Sequence, residues 1–101
     1  MPAGSVIYEI HAVVRADLCE AWEEYMRSQH VAEVVAAGGF TGATLERGIA
    51  GQYRVRYLAP DRGRLDTYRR DAAPALRDDA LARFPEGVEL AREVWDVVAD
   101  W

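Results

Sequence analysis

His30 is the side chain of this 101-residue sequence with the clearest capacity for chemistry near neutral pH. An unperturbed imidazole has a pKa of about 6.5, so it can donate or accept a proton as a general acid or base. His30 follows Trp22 by eight residues and Met26 by four, a spacing that places it on or beside an apolar helical stripe. We predict His30 as the candidate catalytic residue. The structural alternative is a histidine at the edge of the core, hydrogen-bonded to a backbone carbonyl.

Aromatic side chains supply candidate walls for a ligand pocket. Tyr8, Tyr53 and Tyr57 occupy alternating positions of predicted strands, on the side expected to face the helices. With Trp22 they would line a flat slot between sheet and helix, which is a common form of small-molecule site. The alternative is ordinary core packing, with the hydroxyl groups satisfied at the core edge.

Glu9 and His11 share one face of the first predicted strand. A carboxylate beside an imidazole suits a base and its orienting group, or two ligands of a metal ion. The sequence offers no third or fourth ligand that must converge on this pair, so we predict no metal site. A salt bridge to Arg54 or Arg56 at an interface is the favoured interpretation.

The composition excludes several classes of function. The net charge is −5, whereas surfaces that bind nucleic acid need a basic excess, so no nucleic-acid partner is predicted. The sequence contains no lysine for Schiff-base chemistry. Cys19 is the only cysteine, which excludes an intrachain disulfide and a thiolate metal cage. Phosphate-loop, nucleophile-elbow and zinc motifs are also missing, and we predict no cofactor.

The start of the sequence carries no recognisable targeting signal. Residues 1–5 contain no basic side chain, and the apolar run that follows is interrupted by Glu9 and His11. This pattern fits neither a signal peptide nor a membrane span. We therefore expect a cytoplasmic protein with no membrane partner.

The elements that must position these residues follow from hydrophobic periodicity. Alternating, β-branched residues predict a first strand over 6–14. Asp17 and Glu20 resemble a capping box for the first helix, which we expect to kink near Ser28. A left-handed cap at Gly38-Gly39 would end that helix.

The second half of the sequence predicts a hairpin, a helical region and a last strand. Strands are predicted over 40–48 and 52–58, joined as a hairpin by the turn at 49–51. A second helical region follows, and Pro74 inside it predicts a kink or two consecutive helices. The last strand is expected over 88–98. The order βαββαβ predicts one ferredoxin-like α+β domain over 1–101, with a four-stranded antiparallel sheet and its helices on one face.

This arrangement leaves the second face of the sheet uncovered. It mixes apolar and charged side chains, which makes it too apolar to stay open and too charged for an intramolecular core. Packing against the same face of a second copy would set arginines opposite acids, so we predict a homodimer through this face. The residues expected there are Ile7, Glu9, His11, Val13, Arg54, Arg56, Glu93, Trp95 and Val97.

Several short strings resemble the DUF4286 family, whose members have no assigned chemistry. They are Trp22, Met26, His30 and Val31 followed by Gly39-Phe40, then Tyr57, Ala73 to Arg77, Phe84 and Arg92. The resemblance implies the dimeric α+β barrel fold of the antibiotic-biosynthesis-monooxygenase-like superfamily, which also contains haem-degrading enzymes and muconolactone isomerase-like proteins. Cofactor-free monooxygenases and haem degraders of this superfamily typically use an asparagine. The present sequence has none, which argues against both activities.

The family's recurring positions correspond here to Trp22, His30, Tyr57, Arg77 and Arg92. Two functions remain open. The sequence favours a non-catalytic dimerisation or regulatory module, in which these residues form core and interface. The alternative is a small-molecule binder or cofactor-independent enzyme, monooxygenase- or isomerase-like, that acts on an aromatic or carboxylate-bearing ligand. There Trp22, Tyr8 and Tyr57 would be walls, and Arg77 or Arg92 would hold the anion, because an arginine fork matches planar anions.

Overall fold

The computed structural model describes residues 4–101, so the predicted domain start at residues 1–3 lies outside the described part. The elements follow the predicted order. They are β1 (Val6–Val14), a 3-10 turn (Ala16–Leu18), α1 (Cys19–Tyr25), a π-helical segment (Met26–His30), α2 (Val31–Gly38), β2 (Gly42–Arg47), β3 (Gln52–Ala59), α3 (Arg62–Asp71), α4 (Ala73–Arg83) and β4 (Val88–Asp96).

The four strands form one antiparallel sheet in the order β2-β3-β1-β4. Strand β1 is central, with Tyr8 opposite Tyr57 on β3 and Val94 on β4. This order, with helical crossovers after β1 and β3, confirms the predicted ferredoxin-like fold. Because side chains alternate along a strand, each strand contributes to two different faces.

Helices cover one face of this sheet, and the core lies between the two layers. Leu65 of α3, Val34 of α2 and Val55 of β3 are the largest fully buried side chains. The opposite face, called here the open face, carries Ile7 and Glu9 of β1 and continues across β3 and β4. The core therefore fixes which strand positions can meet a helix.

The first helical run differs from its prediction at the start and agrees with it further on. The predicted capping box at Asp17 and Glu20 is wrong, because the Asp17 carboxylate instead accepts a 2.6 Å hydrogen bond from Arg15 Nε. The chain consequently enters the helix through a 3-10 turn. The kink expected near Ser28 is present as the π-helical segment, and Gly39 ends α2 in the predicted left-handed conformation, with φ of 60°.

Pro74 divides the second helical region into α3 and α4, as predicted. Asp61 caps α3 by accepting a 2.8 Å hydrogen bond from the Arg64 backbone N–H. Proline is tolerated in the first turn of α4, because the N–H groups there have no helical partner.

The sheet edges are shorter than predicted. Strand β2 begins at Gly42 because Phe40 is drawn into the core and its N–H bonds to the Val35 carbonyl at the end of α2. Strand β4 ends at Asp96, so Val97 lies beyond the open face on which it was predicted. Within residues 4–101, none of the helices combines the length and apolar character that crossing a bilayer requires.

Candidate functional site

All six predicted site residues line one cavity between the helix-facing side of the sheet and the helical layer. Its volume is about 130 Å³. This size approaches the roughly 150 Å³ apolar cavity known to hold a benzene molecule. The predicted residues among its walls are Tyr8, Trp22, His30, Tyr57, Arg77 and Arg92.

Four parts of the fold bring these side chains together. Tyr8 and Tyr57 lie opposite each other on paired strands, with their ring centroids 6.1 Å apart. Arg92 enters from β4, where it is paired with Ile10. The first helical run contributes Trp22 and His30, and α4 contributes Arg77. Residues far apart in sequence converge because both crossovers lie on the same face of the sheet.

Three tyrosines form the polar end of the cavity. Tyr8 contacts Tyr57 on one side and Tyr68 on the other, with centroid distances of 6.1 and 6.2 Å. Burial raises the pKa of Tyr57 above its ordinary value, and raises that of Tyr68 to about 12. All three rings are buried. The phenols of Tyr57 and Tyr68 therefore remain protonated at neutral pH and can donate hydrogen bonds to an anion.

Two arginines lie at the mouth of the cavity next to these phenols. Arg77 Nη2 donates a long, 3.5 Å hydrogen bond to the Tyr8 hydroxyl. Both Arg77 and Arg92 act to lower the pKa of Tyr68, against the dominant effect of its burial. Neither takes part in any ion pair found among residues 4–101. Their positive charge is therefore directed at the cavity mouth with no carboxylate of the described chain neutralising it.

His30 lies on a different wall, at the end of the π-helical segment. Burial lowers the pKa of His30 below its ordinary value, and Glu33 and Asp79 oppose this only in part. Its Nδ1 is 3.4 Å from the Tyr25 hydroxyl, so its partner is a side chain and not the backbone carbonyl of the structural alternative. A neutral imidazole can accept a proton from a ligand. The catalytic role of His30 stays a prediction.

Two tyrosines have positions that the sequence did not indicate. Tyr68 lines the cavity, although it is not among the predicted site residues. Its three-residue spacing from the fully buried Leu65 is the signal that points it inward. Tyr53, expected as a wall, packs on Trp22 at 4.8 Å and donates a 2.8 Å hydrogen bond to Glu23. Tyr53 is not among the residues that line the cavity.

Glu23 is the centre of a separate charged cluster on the outer side of α1. Its carboxylate accepts hydrogen bonds from Arg47 at 2.7 and 2.9 Å, from Arg27 at 2.8 Å and from the Tyr53 hydroxyl. The Arg47 hydrogen bond and then that of Tyr53 lower the pKa of Glu23 to about 2. This cluster ties α1 to the β2–β3 hairpin.

The open face carries the Glu9 and His11 pair. His11 Nε2 and Glu9 Oε2 are 2.7 Å apart, and Arg56 lies 3.2 Å from the other Glu9 oxygen. Arg54 instead pairs with Glu46, so of the two predicted arginine partners only Arg56 reaches Glu9. Glu93 brings a third ligand atom within 4.8 Å of the others. The Arg56 guanidinium beside Glu9 already supplies the positive charge that a metal ion would bring to these three residues.

Sequence comparison identifies the family. The family profile described as "Domain of unknown function (DUF4286)" matches residues 5–98, nearly the whole chain. The chain belongs to the DUF4286 family. This confirms the resemblance carried by the short motifs. A search of curated proteins finds no match.

Solved structures place this DUF4286 chain among ferredoxin-like proteins. SnoaB, a cofactor-independent oxygenase from Streptomyces nogalater, is 14% identical with a TM-score of 0.71, and 97% of each chain is covered. The heme-degrader MhuD from Mycobacterium tuberculosis is 21% identical, with a TM-score of 0.72 and coverage of 95% of this chain and 98% of its own. A dimeric ferredoxin-like protein from an uncultured marine organism is 14% identical, with a TM-score of 0.59 and coverage of 96% and 97%. At these identities the likeness shows the fold alone.

Proposed function

We propose that this DUF4286 chain binds a small planar aromatic anion, a carboxylate or a phenolate, in the cavity between sheet and helices. The single observation that carries the proposal is the cavity itself, whose walls bring together buried aromatic rings and two arginines without carboxylate partners. An aromatic slot favours a flat ring through packing. A guanidinium at its mouth favours a negative charge on that ring.

The volume of the cavity limits the size of the ligand. About 130 Å³ accommodates roughly one aromatic ring. Leu81 and Leu90 line the mouth and are exposed, so a larger ligand would extend outward over apolar surface. A haem, with four pyrrole rings in one rigid plane, does not fit inside this arrangement.

Binding alone accounts for the tyrosines and arginines, and His30 adds the capacity for proton transfer. His30 is the group of the cavity wall with an ordinary pKa near neutrality, and burial lowers that pKa. It is therefore neutral at pH 7 and positioned as a base toward a phenol. The structural likeness to a cofactor-independent oxygenase supports including an oxygenase assay among the tests. An oxygenase reaction here would proceed without an asparagine.

We also propose that the chain forms a homodimer through the open face. Trp95 is 53% exposed and Val13 is 48% exposed, although charged residues surround both. One structural relative is described as a dimeric ferredoxin-like protein, which supports the same assembly here. The dimerisation module favoured by the sequence and the ligand binder are thus two parts of one proposal, on opposite faces of one sheet.

Calorimetry with three matched probes tests the ligand proposal. We expect 4-hydroxybenzoate to bind at least about tenfold more tightly than 4-hydroxybenzamide, which keeps the ring and removes the charge. It should also bind more tightly than cyclohexanecarboxylate, which keeps the charge and removes the flat ring. Equal affinity for the acid and the amide, or no binding of any probe at millimolar concentration, contradicts the proposal.

A further inference from the structure

The open face contains a recess centred on Gly42. Its volume is about 160 Å³, and side chains of Ile7, Thr44, Arg56 and Leu58 surround it. A Cβ atom built on Gly42 would meet no heavy atom within 4 Å, and the φ of Gly42 is not positive. Neither backbone conformation nor crowding inside the chain therefore requires glycine here. Gly42 is the first residue of the edge strand β2, and a glycine in a strand often marks the close approach of another group.

Trp95 lies in the same cross-strand row as this recess. The pairings place Gly42 opposite Leu58, Leu58 opposite Ile7, and Ile7 opposite Trp95. The row thus runs from the recess on edge strand β2 to an exposed indole on edge strand β4. Three strand spacings separate its ends by about 14 Å. Trp95 is not among the residues lining the recess, so it does not fill the recess of its own chain.

We propose that Trp95 of each subunit packs into the Gly42 recess of the other. This inference rests on the proposed dimer and specifies its geometry. A two-fold axis parallel to the strands, lying between the two facing sheets and over the line between β1 and β3, keeps every row at its own level. The same axis exchanges β2 with β4 and β1 with β3. One indole then sits over each recess, and the contact occurs twice.

The charges of the next row fit the same axis. That row contains Arg56 opposite Glu9, and the rotation sets Glu9 of one subunit over Arg56 of the other. Arg56 Nε is buried and lies 3.2 Å from Glu9 Oε1, but its alignment gives no hydrogen bond within the described chain. A two-fold axis perpendicular to the strands would invert the rows and bring Arg56 over Arg54 of the other subunit. Like charges would then oppose each other, which disfavours that packing.

The recess also matches an indole in size and chemistry. A volume of about 160 Å³ is close to the roughly 150 Å³ that holds a benzene ring, so the six-membered ring of the indole fits. Ile7 and Leu58 offer apolar contacts. The Arg56 guanidinium at the wall suits the face of an incoming tryptophan through a cation–π contact.

A double-mutant cycle on dimerisation tests this inference. Sedimentation equilibrium gives the dimer dissociation constant for wild type, Trp95→Ala, Gly42→Leu and the double variant. We expect each single change to weaken dimerisation by about 30-fold or more, because one empties the recess and the other blocks it. In the double variant the leucine replaces the missing indole, so its loss should not exceed that of either single variant. Trp101→Ala, at an exposed site outside the row, serves as the control and should leave the constant unchanged.

Each outcome decides between the two proposals. If the losses of dimer affinity multiply in the double variant, or if Trp95→Ala leaves the dissociation constant unchanged, the recess contact is overturned. Neither result contradicts the proposed dimer itself. A monomeric wild type at 100 µM overturns both. Circular dichroism melts identify any unfolded variant, and Gly42→Ser replaces Gly42→Leu in that case, because a small side chain still occupies part of the recess. Binding of 4-hydroxybenzoate by all folded variants shows that the ligand proposal is independent of this one.

Discussion

The two faces of the sheet differ in burial and in charge. On the helix side, Tyr8, Val55 and Tyr57 are each at most 3% exposed, and the two tyrosines line the cavity. On the open side, alternate residues of the same strands carry ion pairs and the half-exposed Trp95. Because side chains alternate along a strand, a shift of one residue separates the cavity wall from the proposed dimer surface.

The faces also differ in how they satisfy polar groups. Phenols on the helix side keep their protons, because burial raises the pKa of Tyr57 and Tyr68. Carboxylates on the open side keep their charge beside arginines, as Glu46 does with Arg54. A neutral, donor-rich cavity is suited to receive an anion from outside. A surface of paired charges is suited to a partner with the complementary pattern.

Replacement of Trp22 by alanine should produce the largest effect on folding. Trp22 is 5% exposed and packs on Tyr53. Its loss leaves a hole between α1 and the sheet, so we expect unfolding to become easier by about 3–5 kcal/mol. Urea denaturation at fixed protein concentration measures this. The fully exposed Trp101 is the matched control, and Trp101→Ala should cost less than about 0.5 kcal/mol. A Trp22→Ala loss below about 1 kcal/mol would place Trp22 outside the core.

Neutralising the mouth arginines should weaken ligand binding with little effect on stability. A hydrogen bond to a charged group contributes about 1.5–3 kcal/mol, so Arg77→Gln or Arg92→Gln should lower the affinity for 4-hydroxybenzoate by roughly 10- to 100-fold. Calorimetry supplies the affinity and a thermal melt supplies the stability. Arg70→Gln is the control, since Arg70 pairs with Asp71 on α3 and does not line the cavity. Equal affinity for 4-hydroxybenzoate in all three variants would show that Arg77 and Arg92 do not contact the ligand.

His30 should make stability depend on pH, in a direction that its pKa fixes. The folded pKa is below the unfolded value of about 6.5, so the unfolded chain takes up a proton first as the pH falls. This contribution to stability is present above pH 6.5 and is lost as the pH falls toward the folded pKa. We expect the midpoint of thermal unfolding of the wild type to fall more between pH 7 and 5 than the midpoint of His30→Gln. If the midpoint falls as much with pH in His30→Gln as in the wild type, the result would contradict the lowered pKa of His30.

Glu23 should give the smallest effect, with a pH dependence confined to the acid range. Its folded pKa is about 2 against an ordinary 4.5, so its contribution is complete above pH 4.5 and is lost as the pH falls toward 2. Glu23→Gln should therefore melt below wild type at pH 6, and the gap should close by pH 2. Glu20→Gln, at an exposed site on the same helix, should match wild type throughout. A gap that persists at pH 2 would show that packing, and not charge, is responsible.

The sequence was sufficient to predict the fold and which residues lie together at the site, but not the size of the cavity that they line. Alternation in β1 and β3 placed Tyr8 and Tyr57 on one face, and helical spacing aimed Trp22 and His30 at them. The capping box failed because Arg15 competes for the Asp17 carboxylate, a local choice that residue types leave open. The volume of the cavity depends on how far the helices stand from the sheet, which no single residue encodes.

The π-helical segment is a second feature that the sequence predicted only in part. The interruption was expected near Ser28, whose hydroxyl donates a 2.7 Å hydrogen bond to the Glu24 carbonyl. Side chains that bond to backbone in this way often bend a helix. The sequence could not show that the interruption would be a full π-helical turn ending at His30. That geometry sets the direction of the His30 ring, and such segments are frequent at functional sites.

The three tryptophans allow one experiment to test whether ligand binds on the helix side of the sheet while the dimer forms through the open face. Trp22 lines the cavity, Trp95 lies on the open face and Trp101 is fully exposed, so their indole N–H signals in a ¹H–¹⁵N spectrum report separate regions. We predict that 4-hydroxybenzoate shifts the Trp22 signal, that dilution through the dimer dissociation constant shifts the Trp95 signal, and that Trp101 responds to neither. A ligand that shifts Trp95 or Trp101 while Trp22 stays in place would contradict the account.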